Sequence, residues 1–206
     1  MSAAAPPLGA RTSPSTARNR EPILAVLEAR LPAGARVLEI ASGAGEHAVF
    51  LARALPQVRW RPTDQDPDAR ASIAAWRGAA DLPNLEPPLA LNASDPAGWP
   101  DEPADAVVCI NMIHIAPWAA AEGLMLGAGR LLPPGGQLFL YGPFLEAETP
   151  TAPSNLAFDK DLRARNPAWG LRRLDDVVAL AGRHGLRLAE RLVMPANNLI
   201  LAFVKA

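Results

Sequence analysis

A glycine-containing turn between a predicted buried strand and a predicted helix has the residue types and spacing of a ligand site. The turn reads Glu39-Ile-Ala-Ser-Gly43-Ala-Gly45, where glycine lets the backbone approach a ligand and the next helix offers unpaired N–H groups. Asp64 follows the second predicted strand, 19 residues beyond Gly45, where a carboxylate can accept hydrogen bonds from both hydroxyls of a ribose. The spacing therefore indicates an adenosine-bearing ligand, with helix capping as the alternative role of Asp64.

The part of the ligand beyond the ribose separates two classes of protein. The segment GAGEHA (43–48) satisfies the loose dinucleotide fingerprint, which predicts a pyrophosphate at this turn and a nicotinamide-dependent oxidoreductase. S-adenosylmethionine (SAM) would instead bring an ammonium, a carboxylate and a sulfonium. The carboxylate of Glu39 would repel phosphates and attract a cation, and the Pro-Gly-Gly turn before the fifth predicted strand also favours SAM.

The elements that must position these residues follow an alternating pattern. Short apolar strands alternate with segments of helical periodicity, which predicts an α/β fold with a mostly parallel sheet and helices on both faces. The last two strand patterns are separated only by PANN (195–198), so we expect them to form an antiparallel hairpin. Five preceding strand patterns complete the sheet: VLEIA (37–41), VRWRP (58–62), LAL (89–91), AVVCI (106–110) and QLFLY (137–141).

Two segments fall outside this pattern. Residues 1–18 contain three prolines and no acidic side chain, which predicts a mobile N-terminal tail ahead of a single domain over 19–206. Residues 142–170 show little apolar periodicity and leave the carboxyl end of the fifth predicted strand, where open α/β sheets bind ligands. We interpret residues 142–170 as a lid or substrate-recognition insert.

Composition excludes several functional classes. The chain of 206 residues carries 20 basic and 21 acidic side chains, so it lacks the basic excess typical of nucleic-acid binders. No apolar run reaches the roughly 20 residues of a membrane helix, and the single Cys109 can form no internal disulfide, which fits the cytoplasm. Three scattered histidines and one cysteine form no recognisable metal site. The sequence does not indicate an oligomeric state.

Several longer motifs resemble a little-studied methyltransferase-like family of class I SAM-dependent methyltransferases. The motifs are EIASGAGEH (39–47), INMIHIAPW (110–118), SNLAFD (154–159) and MPANN (194–198). The resemblance implies a Rossmann-like, seven-stranded and mostly parallel sheet with a terminal antiparallel strand. It also implies SAM as cofactor and methyl transfer to a small-molecule or protein-borne acceptor that the resemblance does not identify. An NAD(P)-dependent oxidoreductase and a non-catalytic SAM-binding protein are the alternative functions.

The resemblance also implies a set of cofactor-binding residues. Asn92 stands where the family commonly has aspartate, and its amide oxygen can still accept from the adenine amino group. The full cofactor set is Asn19, Arg20, Glu39, Ala41, Ser42, Gly43, Gly45, His47, Asp64, Asn92 and Asn111.

Further polar residues are candidates for catalysis and substrate recognition. His114 follows the fourth predicted strand and is the candidate base, with a structural histidine satisfied by the backbone as the alternative. Asn111 and Tyr141 complete the predicted catalytic set. The predicted substrate residues have alternative roles as exposed helix charges or hairpin-turn residues: Asn155, Asp159, Arg163, Arg172, Asn197 and Asn198.

Overall fold

The computed structural model describes residues 6–206, apart from the side chain of Pro96. It contains six α-helices: α1 (Thr16–Glu28), α2 (Glu46–Ala54), α3 (Pro67–Ala80), α4 (Trp118–Leu131), α5 (Pro153–Arg165) and α6 (Leu174–Arg183). Its strands are β1 (Arg36–Ile40), β2 (Arg59–Asp64), β3 (Leu89–Ala90), β4 (Ala106–Ile110), β5 (Gln137–Gly142), β6 (Phe144–Leu145), β7 (Arg172–Arg173), β8 (Leu186–Met194) and β9 (Asn198–Lys205). Among the described residues, no helix has both the length and the apolar character needed to cross a bilayer.

Seven of the strands form one sheet in the order β3-β2-β1-β4-β5-β9-β8. The pairs β1–β2, β2–β3 and β4–β5 are parallel, whereas β9 runs antiparallel to both β5 and β8. The prediction of an α/β fold with a mostly parallel sheet, helices on both faces and a terminal antiparallel hairpin is therefore confirmed. The contacts of the chain divide into two compact units, one ending at Leu91 and one beginning at Asn92.

In the first unit, α2 and α3 pack against β2, and α1 packs against α2. Ile23 and Leu27 of α1 and Leu51 of α2 are buried, at the spacing that the helical pattern predicts. The helix α1 begins six residues before Pro22, where the sequence pattern first becomes regular. Its first turns bury the polar side chains Thr16 and Asn19, so apolar periodicity does not reveal them.

The predicted tail makes specific contacts with α3. The Arg11 backbone N–H donates to the Ser72 hydroxyl at 2.7 Å, and the Arg11 guanidinium binds the carboxylate of Asp68 at 2.9 Å. The Trp76 indole N–H in turn donates to the Arg11 carbonyl at 2.9 Å. Residues 1–5 of the predicted tail lie outside the described part of the chain.

In the second unit, β9 lies between β5 and β8 and is buried along most of its length. Ala196 and Asn197 at the hairpin turn have φ values of +56° and +57°, the left-handed conformation that two-residue hairpin turns of the favoured type require. The hairpin therefore forms where the sequence predicts it.

The predicted insert over 142–170 contains regular structure that the sequence pattern does not reveal. The strand β6 pairs in parallel with β7, and α5 occupies the middle of the insert. The helix α5 buries only Asn155 and Leu162, too few positions to produce an apolar stripe. The role of the insert as a lid or substrate-recognition segment stays a prediction.

Candidate functional site

The carboxyl group of Glu39 is buried at the end of β1. The Trp60 indole N–H donates to Glu39 Oε2 at 2.8 Å, and the Thr63 hydroxyl donates to the Glu39 carbonyl at 2.8 Å. Burial raises the pKa of Glu39 to about 7, and the charge of Asp64 acts in the same direction, while hydrogen bonds from Trp60 and Ser42 oppose it. The first unit therefore holds a carboxyl group whose ionised form a nearby cation would stabilise.

Asp64 holds the glycine turn against the end of β2. Its Oδ2 accepts the Gly43 N–H at 2.9 Å, and its Oδ1 accepts the Asp66 N–H at 2.9 Å. Asp66 itself caps α3 by accepting the Asp68 N–H at 3.0 Å. Each Asp64 oxygen makes one such bond and keeps acceptor capacity for a ligand hydroxyl, so support of the turn and ribose binding are compatible.

The two glycines of the turn have different surroundings. Gly45 has φ +91°, and a Cβ on it would lie 2.9 Å from the Ile73 Cα, so glycine here allows α3 to approach the turn. Gly43 has φ +56°, but a Cβ on it would meet no described atom within 4 Å. Ala41 also adopts a left-handed conformation, with φ +56°. Gly43 is thus the position of the turn that faces open space.

Acidic side chains surround the turn. Glu46 is the first residue of α2, and its carboxylate accepts the Ser13 N–H. A helix N-terminus normally attracts phosphates through its free N–H groups and its dipole. Here Glu46 already supplies a negative charge at that terminus, and Glu39 and Asp64 add two more carboxyl groups nearby. The charge pattern disfavours the pyrophosphate of a dinucleotide.

Asn19, Arg20 and His47 form a second polar group in the first unit. His47 is buried, with its Nε2 2.8 Å from Asn19 Oδ1. The Arg20 guanidinium lies 4.7 Å from the centre of the Phe50 ring, and its Nε is buried without a hydrogen-bond partner among the described residues. Burial, together with the charge of Arg20, lowers the pKa of His47 to about 4.

The buried His47 is expected to make the protein sensitive to acid. Because the folded-state pKa lies below the ordinary value of 6.5, the unfolded chain takes up this proton first, and stability falls as pH drops from about 6.5 towards 4. Between pH 7 and pH 5 this proton uptake lowers the free energy of unfolding of the wild type by about 2 kcal/mol. We expect this loss to be absent in His47→Gln, which retains an N–H donor for Asn19. Chemical denaturation at both pH values measures this difference. His184→Gln is the matched control, and an equal acid loss in wild type and His47→Gln would contradict the assignment.

In the second unit, a short 3-10 turn (Met112–His114) follows β4 and carries His114, with Asn111 directly before it, whereas Tyr141 lies on β5. Asn111 adopts φ +60°, and its N–H donates to the Tyr141 carbonyl at 2.9 Å. His114 is fully buried, and both of its ring nitrogens lack a hydrogen-bond partner among the described residues. Its imidazole meets the Phe144 ring edge to face, with 5.0 Å between ring centres. The alternative of a histidine satisfied by the backbone is not what the structure shows.

The surroundings of His114 keep it neutral. Burial lowers the pKa of His114 to about 3, the charge of Arg172 acts in the same direction, and Asp159 opposes it. A Cβ on Gly142 would lie 2.7 Å from the His114 Cδ2, so glycine at the end of β5 makes room for the imidazole. At neutral pH the ring is therefore uncharged, and in these surroundings it is a weak base.

Three of the predicted substrate residues form a cluster of charges close to the turn that holds His114. Arg172 donates to the Ile113 carbonyl at 2.9 Å and to the Ala116 carbonyl at 2.6 Å. The Asp159 carboxylate accepts the Leu171 N–H at 2.7 Å and the Arg163 Nε–H at 2.8 Å. Asp159, Arg163 and Arg172 are thus brought together, and their observed partners are within the chain.

The predicted asparagines occupy turns and connections. Asn155 is buried and donates to the Asn197 carbonyl at 2.9 Å, which joins α5 to the hairpin turn, and Asn197 donates to the Ser154 hydroxyl at 3.3 Å. Asn198 donates to two carbonyls of its own turn, as the hairpin alternative predicts. Asn92 is exposed and accepts the Ser94 N–H at 2.9 Å. Binding of adenine or substrate by these residues stays a prediction.

Sequence reasoning missed residues that contact the predicted site. Trp60 supports Glu39 from the neighbouring strand, and it pairs in register with Val37. Residues two apart on a strand share a face, so the register brings Glu39 and Trp60 to the same side of the sheet. The tryptophan in the second strand pattern could therefore have been predicted to contact Glu39. Nothing in the sequence indicates the contact of Gly142 with His114.

The fold is that of class I methyltransferases. Similar solved structures include an O-methyltransferase family protein from Burkholderia thailandensis, with 19% identity over 93% of this chain and a TM-score of 0.78. The S-adenosylmethionine-dependent methyltransferase SibL has 20% identity over 93% of this chain and a TM-score of 0.77. CalO1, a methyltransferase in calicheamicin biosynthesis with S-adenosylhomocysteine (SAH) bound, has 18% identity over 93% and a TM-score of 0.71.

These structures are longer than the present chain, which spans 57%, 55% and 54% of their respective lengths. At such identities the likeness establishes the fold alone. The chain itself belongs to the family described as protein of unknown function (DUF938), whose sequence pattern matches residues 10–205.

Proposed function

We propose that this protein is a SAM-dependent methyltransferase whose first unit holds the cofactor. The observation that carries the proposal is the set of carboxyl groups around the glycine turn, formed by Glu39, Glu46 and Asp64. The ammonium and the sulfonium of SAM are attracted by this set, and a pyrophosphate is repelled by it. Methyltransferases among proteins of the same fold support the proposal.

The residues of the first unit fit SAM in charge and in hydrogen bonding. Glu39 is buried with a pKa near neutrality, so a nearby ammonium would favour its ionised form. The Asp64 oxygens can accept from ribose hydroxyls while they hold Gly43 and Asp66. The open space beyond Gly43 lets a ligand approach the backbone of the turn.

In the second unit we assign His114 the role of proton acceptor. When bound, SAM would supply a methyl group whose carbon an acceptor atom can attack in line, with neutral SAH as the leaving group. A neutral His114, with both ring nitrogens unpartnered, can accept a hydrogen bond from the O–H or N–H group of an acceptor. Because burial and the charge of Arg172 lower its pKa to about 3, it takes the proton only if the bound substrate brings compensating negative charge beside the ring. Burial by Phe144 and Gly142 keeps water from the ring.

The acceptor is a small molecule or a protein side chain, and we place the reaction in the cytoplasm, with neither nucleic acid nor membrane as partner.

Calorimetric titration with SAH tests the cofactor assignment. Wild type should bind one SAH per chain, and Asp64→Asn should weaken binding by about tenfold or more, because the charged acceptor for the ribose hydroxyls is lost. Asp68→Asn removes an exposed carboxylate four residues away and should leave SAH affinity unchanged.

Thermal unfolding of Asp64→Asn and Asp68→Asn shows whether a loss of SAH affinity is caused by a destabilised glycine turn rather than by the missing carboxylate. No SAH binding by the folded wild type at millimolar concentration would reject the proposal, as would wild-type affinity in a folded Asp64→Asn variant.

A further inference from the structure

The second unit contains a cavity of about 590 Å³, and none of its lining residues belongs to the predicted cofactor set. Its volume is within the range of small-molecule binding sites, about 300–1,000 Å³. Residues from α5, α6, β6, β7 and the start of α4 form its wall. Four of its lining residues are arginines and only one is acidic: Arg163, Arg172, Arg173, Arg183 and Asp176.

The positive charge of the cavity is only partly neutralised. Arg163 is paired with Asp159 at 2.8 Å, and Arg173 lies 3.6 Å from the Asp175 carboxylate. Arg183 has no carboxylate partner among the described residues, and it stands in the last turn of α6. The four guanidinium groups are therefore balanced by only three carboxylates, those of the two acidic partners and of Asp176.

Arg172 is the most firmly positioned of the four arginines. Its guanidinium donates to the carbonyls of Ile113, Ala116 and Ala168 and lies 5.7 Å from the centre of the Trp118 ring. Carbonyl oxygens orient the guanidinium without cancelling its charge. Burial lowers the pKa of Arg172, and the neighbouring charge of Arg163 acts in the same direction, so an anion between the two would relieve unfavourable electrostatics.

Apolar side chains complete the wall. Trp118, Leu145, Leu171 and Leu180 line the same cavity. A site with a few convergent charged groups on an apolar wall is suited to an organic ligand with one charged end. Guanidinium forks match the geometry of phosphate and carboxylate oxygens, to which they donate two parallel hydrogen bonds.

We propose that this cavity binds a small organic anion, with a phosphate or carboxylate group between the arginines and an apolar body against Trp118 and the leucines. The site does not depend on methyl transfer. Among its residues, Arg163 and Arg172 have been named above as substrate candidates, whereas Arg173, Asp176 and Arg183 have no other assigned role.

Titration of the full chain with phenyl phosphate, benzoate and phenol tests the proposal, with calorimetry and ligand-observed NMR as readouts. Phenyl phosphate or benzoate should bind one per chain and weaken as NaCl rises from 0.05 to 0.5 M, and phenol should bind at least tenfold more weakly. Which of the two anions binds more tightly distinguishes a phosphate from a carboxylate ligand.

Three variants localise the binding. Arg183→Gln should weaken the anion about tenfold, and Asp176→Asn should tighten it several-fold, because each changes the charge of the wall in a known direction. Arg187→Gln, on the exposed face of β8, is the matched control and should bind as wild type does. All three positions are exposed, so folding is expected to be retained.

The proposal is overturned if neither anion binds at millimolar concentration. It is equally overturned if phenol binds as tightly as the anions, or if Arg183→Gln and Arg187→Gln weaken binding by the same factor.

Discussion

Replacing Glu39 with glutamine is expected to raise the free energy of unfolding by about 3 kcal/mol at pH 8 and, in the same protein, to weaken SAH binding at least tenfold. Above pH 7 the native state must bury an ionised carboxylate, since burial raises the pKa of Glu39 to about 7 from 4.5. Glutamine carries no charge and can still accept the hydrogen bond of Trp60. Removal of the ionised carboxylate is therefore expected both to raise the stability and to weaken SAH binding.

The pH dependence of this effect has a definite sign. A raised folded-state pKa makes the contribution of Glu39 to stability greatest below pH 4.5, and that contribution is lost as pH rises through 7. Glu39→Gln and wild type should thus have nearly the same stability at pH 4 and differ fully at pH 8.

Denaturant unfolding at pH 4 and 8, together with SAH titration at pH 8, measures both effects. Glu28→Gln, at the exposed end of α1, is the control for loss of one carboxylate. A folded Glu39→Gln variant that keeps wild-type affinity for SAH would remove Glu39 from the proposed site. Unchanged stability of Glu39→Gln at pH 8 would show that burial does not raise the pKa of the Glu39 carboxyl.

Gly123→Ala is expected to lower the free energy of unfolding by more than about 3 kcal/mol. Alanine normally favours a helix over glycine by about 1 kcal/mol, so the sequence alone predicts stabilisation. In the structure, a Cβ on Gly123 would lie 2.9 Å from the Ala93 carbonyl carbon and 3.1 Å from the Ser94 Cα. Backbone atoms cannot move aside as a flexible side chain can, so α4 must shift from its packing position.

Gly182→Ala in α6 provides the matched comparison. Nothing lies within 4 Å of a Cβ at Gly182, so this variant should gain up to about 1 kcal/mol. Denaturant unfolding of both variants should show changes in the free energy of unfolding with opposite signs, a decrease for Gly123→Ala and an increase for Gly182→Ala. Shifts of the same sign would contradict the packing of α4 against residues 93 and 94.

Most strands of the fold could be predicted because each is a short apolar run between polar turns. AVVCI and QLFLY coincide with β4 and β5 within one residue. The start of α1 and the whole of α5 could not be predicted, because their buried residues are mainly polar or few. The glycines of α4 resemble helix-weakening residues in the sequence, and only the structure shows the close contacts that require Gly123 and Gly127.

The candidate site was predictable in part for a similar reason. Glu39 and Asp64 were found from their places at strand ends, and the structure adds that Asp64 also holds the Gly43 N–H. The partners of Arg172 are backbone carbonyls up to 59 residues away, and a carbonyl carries no sequence signal. Contacts between a side chain and a distant backbone therefore need the folded chain to be seen.

The identity of the ligand at the glycine turn is the claim on which the proposed function depends. Native mass spectrometry of the purified protein, mixed with equal concentrations of SAH and NADH, tests it directly. The carboxyl groups of Glu39, Glu46 and Asp64 predict a single SAH adduct that is much less abundant in Asp64→Asn. An NADH adduct in place of SAH, or a chain that binds neither, would contradict the assignment.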